Sequence, residues 1–320
     1  MIRLVNDLID AALGAGASDL HFEPGADRLR ARLRGDGVLR DLRELSLDEA
    51  RAAISRLKIM ARLDIAETRL PQDGRIRTTA RGRDIDLRLS TLPAIHGEAA
   101  ALRLLDAGGG RPRLESLGLP QPEEARLRRI LGGPSGVVLV TGPTGSGKTT
   151  TLYAALAELA TGETKILTVE DPVEYRLPRE VQVQIKPEIG LDFASALRSF
   201  LRHDPDVIMV GEIRDKKTAE LAVQAALTGH LVLSTLHTNS PVGALPRLRD
   251  MGVESYLLGA AIAGVAAQRL LRRLCDACKR PAEPGAAEAA GFSAPPDANF
   301  FAPVGCAKCG RSGYKGRLAA

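Results

Sequence analysis

Two groups of residues have types and spacings that could do chemistry. The first is the octapeptide Gly-Pro-Thr-Gly-Ser-Gly-Lys-Thr at positions 142–149, which fits the phosphate-loop pattern G-x-x-x-x-G-K-[ST]. Its glycines let backbone N–H groups turn towards phosphate oxygens, because side chains would block that approach. The second group is two C-x-x-C pairs near the end of the chain. The sequence therefore predicts a nucleotide site and a metal site.

The residues around the octapeptide supply the context that a phosphate loop needs. Residues 136–140 read as a buried strand before it, and residues 150–160 read as a helix after it. In such a loop, Lys148 supplies a positive charge to the β- and γ-phosphates, and Thr149 offers a hydroxyl group to Mg²⁺. The predicted ATP-binding residues are Gly142, Pro143, Thr144, Gly145, Ser146, Gly147, Lys148, Thr149 and Thr150.

Three further apolar segments read as strands that carry polar residues at their ends: residues 165–172, 206–212 and 230–237. The first ends in Glu170 and Asp171, the second ends in Glu212, and the third has His230 and His237 at its two ends. Parallel α/β sheets place reactive groups at the carboxyl ends of their strands, so we expect these residues beside the phosphates. The alternatives are that the acids are helix caps or surface groups, and that the histidines are hydrogen-bonded structural groups.

The composition predicts a cytosolic globular protein. The chain has 320 residues, 44% apolar and 26% charged, which suggests about two domains at ~150 residues each. No segment approaches the ~18 apolar residues of a spanning helix, and the start does not read as a cleavable leader. The net charge of +5 is spread along the chain, aromatic residues make up only 3% and Trp is absent. These features argue against nucleic acid as a partner.

The first hundred residues read as a small α/β domain. Apolar residues at helical spacing predict a helix over residues 4–15, and alternation predicts strands at 18–24, 75–79, 84–90 and 99–105. A hairpin is expected at residues 34–37, and Ser46 with Glu49 forms a capping box before a helix. The glycine-rich segment that follows reads as a flexible linker. The predicted domains are 1–106 (N-terminal α/β domain), 107–116 (linker), 117–274 (P-loop core) and 275–320 (cysteine element).

Three arginines, Arg75, Arg88 and Arg103, lie on or next to the predicted strands of the first domain. Most charged residues of a globular protein are solvated at its surface, which is one interpretation of these three. The other is that one or more of them reaches a γ-phosphate when the two domains close, as arginine fingers do. The residues alone leave both interpretations open.

The four cysteines have the layout of a tetrahedral zinc site. Cys275 and Cys278 form one knuckle, Cys306 and Cys309 form the other, and residues 279–305 separate them. The Ala- and Pro-rich segment between the knuckles reads as a loose insert. Disulfides are not expected in a cytosolic protein, and a redox C-x-x-C pair is a weaker alternative because neither pair opens a helix in a thioredoxin-like context.

Four motifs in order resemble the secretion ATPases of the type II secretion and type IV pilus family. They are the P-loop, Val-Glu-Asp-Pro-Val-Glu-Tyr, Gly-Glu-Ile-Arg-Asp, and Thr-Gly-His-Leu-Val-Leu-Ser-Thr-Leu-His-Thr-Asn. In the first domain, Ala-Ser-Asp-Leu-His and Leu-Pro-Gln-Asp-Gly-Arg are similar to that family's second N-terminal domain. The resemblance covers nearly the whole chain. It implies an N-terminal α/β domain hinged to a RecA-like P-loop core with a four-cysteine zinc element.

The resemblance also implies a bacterial, Mg²⁺-dependent hexameric ATPase in the cytoplasm. It would lie at the face of the inner membrane, bound peripherally through a platform protein. Glu212 and Glu170 are both candidates for polarising water, with Glu212 favoured for positioning water or Mg²⁺. The residues that match family motifs are Lys148 and Thr149 (Walker A), Glu212 (Walker B), Glu170 (Asp box), His230 and His237 (His box), and Arg75 and Arg88 (arginines facing the nucleotide).

Several alternatives remain open from the sequence. Type IV pilus assembly competes with type II secretion, although assembly-type members of the family often carry the four cysteines and retraction-type members generally lack them. Two alternative functions of other kinds are a P-loop motor that acts on nucleic acid and a scaffold that binds ATP without hydrolysing it. Compared with the family pattern, we expect a further N-terminal domain before this chain and a longer helical segment after it, so the chain is either a natural short form or a fragment.

Overall fold

The computed structural model describes residues 2–105, 112–282 and 299–320. Half of the predicted linker and most of the predicted insert therefore lie outside the described residues. The chain divides into two compact units, one of Met1–Gly109 with Arg272–Gly316 and one of Gly110–Leu271 with Arg317–Ala320. Within the described ranges, every helix is too short or too polar to cross a bilayer.

The first unit contains a six-stranded antiparallel sheet in the order β3-β2-β1-β6-β5-β4. Its elements are α1 (Ile2–Gly14), β1 (Asp19–Pro24), β2 (Arg28–Gly35), β3 (Val38–Ser46), α2 (Leu47–Ala61), β4 (Gln72–Ala80), β5 (Arg83–Ala94) and β6 (Gly97–Leu105). Both helices pack their apolar sides onto one face of the sheet, where they form a single core with its inward-facing residues.

Local sequence signals set the bounds of these elements. The predicted capping box is confirmed: Glu49 donates its backbone N–H to the Ser46 hydroxyl at 3.3 Å, and Ser46 donates its own N–H to the Glu49 carboxylate at 2.9 Å. α2 ends at Ala61 because Arg62 adopts a left-handed conformation with φ of 59°. The predicted helix at 4–15, the hairpin at 34–37 and the four predicted strands are confirmed.

The second unit contains a six-stranded parallel sheet in the order β12-β7-β11-β10-β8-β9. Its elements are α3 (Gln121–Leu131), β7 (Gly136–Thr141), α4 (Lys148–Leu159), β8 (Ile166–Glu170), β9 (Val181–Gln184), α5 (Phe193–Phe200), β10 (Val207–Val210), α6 (Lys216–Leu227), β11 (Leu231–Leu236), α7 (Ala244–Asp250), α8 (Ser255–Ala261) and β12 (Ile262–Ala267).

Helices cover both faces of this sheet, which explains why its central strands are continuously apolar. Along β7, Val137 and Leu139 pack with α5, α6 and α8, whereas Val138 and Val140 pack with α3 and α4. Every residue of β7, β8, β10 and β11 is buried. The four predicted strands around the P-loop are confirmed, and the α/β class with a parallel sheet is as the sequence predicts.

The part of the chain that the structure describes has four further short strands after β12. β13 (Leu270–Leu274) pairs with β16 (Tyr314–Ala319), and β14 (Arg280–Pro281) pairs with β15 (Phe301–Ala302) in antiparallel fashion. The two cysteine knuckles follow β13 and precede β16, so the strand pairs bring together segments that are distant in the sequence.

A buried ion pair between Lys58 and Glu98 should contribute to the stability of the first unit. The Lys58 side chain is 1% exposed, pairs with Glu98 and donates to the Glu67 carbonyl at 2.8 Å. We expect Lys58→Met to lower the free energy of unfolding by roughly 3–5 kcal/mol, because Glu98 is left as a buried unpaired charge. Adding Glu98→Gln should restore part of the loss. Amide hydrogen exchange in β6 measures this local stability.

The matched control is Lys216→Met, which breaks an exposed pair with Glu220. Its cost should stay below about 1 kcal/mol, because exposed ion pairs contribute little. Equal losses from the two substitutions would contradict the assignment of Lys58 as a buried structural cation.

Candidate nucleotide site and cysteine cluster

The P-loop connects β7 to α4, and two of its glycines are required by their surroundings. Gly142 has φ of 144°, and a Cβ there would lie 2.5 Å from the backbone carbonyl oxygen of Gln268. Gly147 has φ of 84°, and a Cβ there would lie 2.9 Å from Nε2 of the same glutamine. Larger residues would be both strained and in collision. The loop thus folds closely around Gln268.

Lys148 lies over the loop that precedes it. Its Nζ donates to the carbonyl oxygens of Gly142 at 3.0 Å and Pro143 at 3.1 Å. Burial lowers the pKa of Lys148, and the negative charge of Glu212 acts in the opposite direction. The structure therefore brings the P-loop ammonium group and the predicted Walker B carboxylate into one electrostatic environment.

The remaining loop residues fit a phosphate group. Ser146 is 3% exposed, and its buried Oγ has no hydrogen-bond partner among the described residues. A Cβ on Gly145 would meet no atom within 4 Å, so the space beside that residue is open. Thr149 and Thr150 follow in the first turn of α4, whose N-terminus favours anions. An orphaned hydroxyl beside a helix N-terminus suits an anionic ligand, and the Thr149 hydroxyl could bind its metal ion.

Glu212 and His237 meet at the same edge of the sheet. Glu212 Oε1 lies 2.6 Å from Arg214 Nη2, and Glu212 Oε2 lies 3.6 Å from His237 Nε2. The ends of β10 and β11 are tied together, because Thr235 donates its hydroxyl to the Gly211 carbonyl at 2.8 Å. These contacts fix the direction of the Glu212 carboxylate, whose side chain is only 13% exposed.

Glu170 is enclosed in a hydrogen-bond network of its own. Its carboxylate accepts from the hydroxyl groups of Tyr153 and Thr168, the latter at 2.6 Å, and from Gln182 Nε2 at 3.1 Å. Burial raises the pKa of Glu170, and burial together with the Glu170 charge raises the pKa of Tyr153. The Tyr153 ring also packs edge-to-face with that of Tyr175, 4.9 Å between centroids.

The two glutamates therefore occupy different surroundings, although the sequence predicts both beside the phosphates. β8 is the third strand from β7 in the sheet, about 14 Å away at ~4.8 Å per strand, whereas β10, which Glu212 follows, pairs directly with β8. The two glutamates thus differ in their contacts and in their distance from the P-loop strand. The contacts of Glu170 in this unit are structural, and its role in hydrolysis stays a prediction. Asp171 is exposed at the end of β8.

His230 does not join His237. It precedes β11, and Leu231 after it pairs with Gly136 at the start of β7, so His230 lies at the amino edge of the sheet. Its Nδ1 is 2.8 Å from the Ala225 carbonyl oxygen at the end of α6. The expectation that both histidines lie by the phosphates is thus corrected within this unit, because the length of β11 separates them. Any role for His230 at the nucleotide remains a prediction.

The three arginines of the first unit form a row across adjacent strands. Arg75 on β4 lies opposite Arg88 on β5, which lies opposite Arg103 on β6. Arg75 Nη2 is 3.6 Å from Asp86 Oδ2, and Arg103 Nε donates to Asp19 Oδ1 at 3.2 Å. The register shows that the three share one face of the sheet. Contact of Arg75 or Arg88 with a nucleotide stays a prediction.

Sequence reasoning missed the polar residues that support the site. Gln268 bonds the P-loop, while Tyr153, Thr168 and Gln182 surround Glu170. None belongs to a recognised phosphate-binding pattern. A polar residue inside an apolar segment was the available signal for Thr168, and Gln268 directly follows the apolar strand β12.

The four cysteines form one cluster. Their Sγ atoms all lie within 4.8 Å of one another, with separations of 3.9 Å for Cys275–Cys306 and 3.8 Å for both Cys278–Cys309 and Cys306–Cys309. These separations are far longer than a disulfide bond of about 2.05 Å. The predicted meeting of the two knuckles is confirmed, and the cluster could hold a metal ion.

The thiols of the cluster differ in their acidity. The backbone N–H groups of Cys306 and Gly313 donate to Cys309 Sγ at 3.1 Å and 3.3 Å, and they lower the pKa of Cys309 to about 6. Burial raises the pKa of Cys278 to about 11. N–H groups that point at sulfur favour the thiolate form, which is the form that binds metals.

Comparisons with known proteins agree with one another. A family model described as "Type II/IV secretion system protein" matches residues 1–320. The Type II secretion system protein E of Pseudomonas aeruginosa is 51% identical over 319 residues, covering 99% of this chain and 64% of that protein. The Putative type II secretion system protein E of Escherichia coli K12 is 52% identical over 321 residues, covering 100% and 65%. The chain thus spans slightly less than two thirds of these relatives.

Solved structures show the same architecture. The pilus retraction motor PilT with bound ADP is 31% identical, with a TM-score of 0.63, and the alignment covers 85% of this chain and 79% of that one. The ATPase DotB of Legionella pneumophila is 26% identical, with a TM-score of 0.69, covering 83% and 75%. The α/β fold with a parallel sheet is therefore shared with ATPases.

The raised pKa of Glu170 predicts a pH dependence of stability. The folded state holds this proton more tightly than the unfolded chain, whose ordinary pKa is 4.5. The stabilisation is therefore complete below the unfolded pKa and is lost as pH rises through the folded pKa. We therefore expect the wild-type free energy of unfolding, relative to that of Glu170→Gln, to fall as the pH rises from the unfolded pKa to the raised folded pKa. Urea unfolding at a series of pH values measures it.

The control is Glu220→Gln, whose carboxylate is half exposed on α6. Its difference from wild type should not follow the same fall with pH. A pH profile for Glu170→Gln that runs parallel to wild type would contradict the enclosed, proton-retaining carboxylate.

Proposed function

This chain belongs to the type II/IV secretion system protein family, and we propose that it is a Mg²⁺-dependent ATPase that powers type II protein secretion. The observation that carries the proposal is one edge of a parallel sheet at which Lys148 interacts with the charge of Glu212, and at which the Ser146 hydroxyl has no hydrogen-bond partner in the described part of the chain. The family relationship supplies the secretion role, since its relatives bear that name.

The roles of the individual residues follow from their positions. Bound ATP with Mg²⁺ would supply the phosphoryl group and the positive charge that stabilises its transfer. Thr149 would contribute a metal ligand, and Lys148 would turn from its loop carbonyls to phosphate oxygens. Glu212, held between Arg214 and His237, would orient the attacking water. Glu212 interacts with the charge of Lys148 and pairs with Arg214, whereas three neutral donors occupy the carboxylate of Glu170, so Glu212 is the better candidate for that role.

The proposed whole protein acts as an assembly. Six copies would form a ring in the bacterial cytoplasm and bind peripherally at the inner membrane through a platform protein. Arg75 and Arg88 would complete the nucleotide site by domain closure, so that hydrolysis moves one domain against the other. The boundaries proposed from the sequence, 1–106, 107–116, 117–274 and 275–320, describe the parts of this motor. Type IV pilus assembly is the second candidate, because the fold is shared with a pilus retraction motor while the four cysteines are typical of assembly-type members of the family.

We propose zinc as the metal of the cysteine cluster. A tetrahedral ion with Zn–S bonds of about 2.3 Å places its sulfur ligands about 3.8 Å apart. Three of the six Sγ–Sγ separations, at 3.8 to 3.9 Å, agree with that value, and all six are within 4.8 Å. Zinc would cross-link the two knuckles and stabilise the fold of the segment that contains them.

ATP hydrolysis is the first test of this function. We expect Glu212→Gln to lower kcat by at least about 100-fold while binding of MgADP is retained, because only orientation of the water is lost. Lys148→Ala should weaken nucleotide binding itself. Phosphate release and calorimetric titration with MgADP measure the two effects, and Glu170→Gln is compared in parallel.

Three outcomes would contradict the proposal. Nucleotide binding by wild type without turnover at any protein concentration would indicate a scaffold. Turnover that rises with added DNA or RNA would indicate a nucleic-acid motor. Wild-type kcat in both Glu212→Gln and Glu170→Gln would remove the carboxylate assignment, while the exposed control Glu220→Gln should match wild type.

Metal analysis tests the cysteine cluster. Protein prepared without oxygen should contain about one zinc per chain, because all four thiols converge on one position. Cys306→Ser should lose most of the metal and lower the melting temperature. Ser312→Ala is the control, since its hydroxyl bonds to backbone carbonyls of the same segment. Less than half a zinc per chain in wild type would count against the site.

A further inference from the structure

We propose that Gln268 and Arg269 are positioning residues that hold the P-loop and the loop after His237 in a common geometry. The inference rests on the proposed ATPase function and concerns how its site is kept in shape. These two consecutive residues follow the last residue of β12, at the same sheet edge as the P-loop. Neither belongs to a phosphate-binding motif, and each bonds a different side of the site.

Gln268 is bonded through both ends of its side-chain amide. Nε2 donates to the Ser146 carbonyl at 2.7 Å, and Oε1 accepts from the Thr151 hydroxyl at 2.6 Å. The Gln268 backbone N–H donates to the Thr141 carbonyl at 2.9 Å. The side chain is 4% exposed, so these partners satisfy a polar group that would otherwise be costly to bury. Gln268 thus connects β7, the P-loop and the first turns of α4.

The bond to Ser146 has a direct consequence for phosphate binding. A trans peptide unit is planar, so its C=O and N–H point in opposite directions. Holding the Ser146 carbonyl towards Gln268 therefore turns the N–H of Gly147 away from Gln268. Phosphate loops bind through such N–H groups, so their direction decides affinity. Gln268 would act on the nucleotide without touching it.

Arg269 makes the second connection. Its guanidinium donates to the Asn239 backbone carbonyl at 3.1 Å and to Asn239 Oδ1 at 3.3 Å. The same guanidinium donates to the Gln268 carbonyl at 3.0 Å, the oxygen that approaches Gly142. Asn239 lies two residues after His237, which contacts Glu212. Arg269 therefore connects the loop after His237, next to Glu212, with Gln268, which contacts the P-loop.

The two residues should affect different kinetic quantities. Gln268 acts on the loop that binds phosphate, so its substitution should weaken nucleotide binding. Arg269 acts on the loop that carries His237, so its substitution should slow turnover with little effect on binding. A role in packing alone would change stability without this division.

Isosteric substitutions at Gln268 separate hydrogen bonding from packing. Gln268→Met fills a similar volume without polar atoms, and Gln268→Glu keeps the acceptor for Thr151 but sets a carboxylate oxygen against the Ser146 carbonyl. We expect both to weaken MgADP binding about tenfold in calorimetric titration, since each loses the bond to Ser146. Wild-type affinity in Gln268→Met, with an unchanged melting temperature, would overturn the positioning role of Gln268.

A third variant applies if either of these fails to fold. Thr151→Val removes only the hydroxyl partner of Gln268 Oε1 and should raise the Kd for MgADP by a smaller factor. An unchanged Kd in Thr151→Val would also overturn the positioning role of Gln268.

The complementary variant is Arg269→Met, for which we expect kcat to fall about tenfold while the Kd for MgADP stays within about twofold of wild type. Its matched control is Arg249→Met, an exposed arginine on α7 that should leave both quantities unchanged. Equal kcat values for Arg269→Met and Arg249→Met would overturn the role of Arg269.

Measurements on the wild-type protein distinguish the two proposals. If wild type neither binds nor hydrolyses nucleotide, the proposed ATPase function fails. If it does both and the variants match it, only the present inference fails.

Discussion

Parallel pairing of β7, β11 and β10 is the constraint on which the candidate site depends. Because these strands run in the same direction, their carboxyl ends reach one edge of the sheet, and the P-loop, His237 and Glu212 meet there. The same constraint separates His230 from them, although only β11 lies between the two histidines. Whether two residues meet at this site therefore depends on which end of a strand each occupies, and not on how far apart they are in the sequence.

Burial gives similar residues different chemical properties in this protein. Glu212 follows β10 and is held by two cationic or ionisable side chains at 2.6 Å and 3.6 Å, whereas Glu170 ends β8 among three neutral donors. Neutral donors cannot offset the loss of hydration as a positive charge does, so the pKa of Glu170 is raised. Both acids satisfy the same pattern of a strand followed by a carboxylate. Their surroundings, and not their types, distinguish them.

Much of the fold was predictable because its signals are local. The capping box at Ser46, the alternating strands of the first unit and the strand–loop–helix around Lys148 are each encoded in one continuous short stretch of the chain. Strand order, the parallel edge strands β9 and β12, and the contacts of Gln268 were not predicted. They depend on residues brought together from distant positions, such as Ser146 and Gln268, 122 positions apart. A polar residue gives no local sign of the partner that it will find across the fold.

The cysteine cluster joins two short knuckles across a long span of sequence, and this has a consequence for how the chain can vary. An ion bound by the four thiolates would close a loop whose entropic cost grows only with the logarithm of its length, by about 0.6 kcal/mol for each doubling. The residues between Cys278 and Cys306 can therefore be lengthened or shortened with little effect on the closure itself. This segment is a natural place to accept an inserted peptide or label, while the spacing inside each knuckle tolerates no such change.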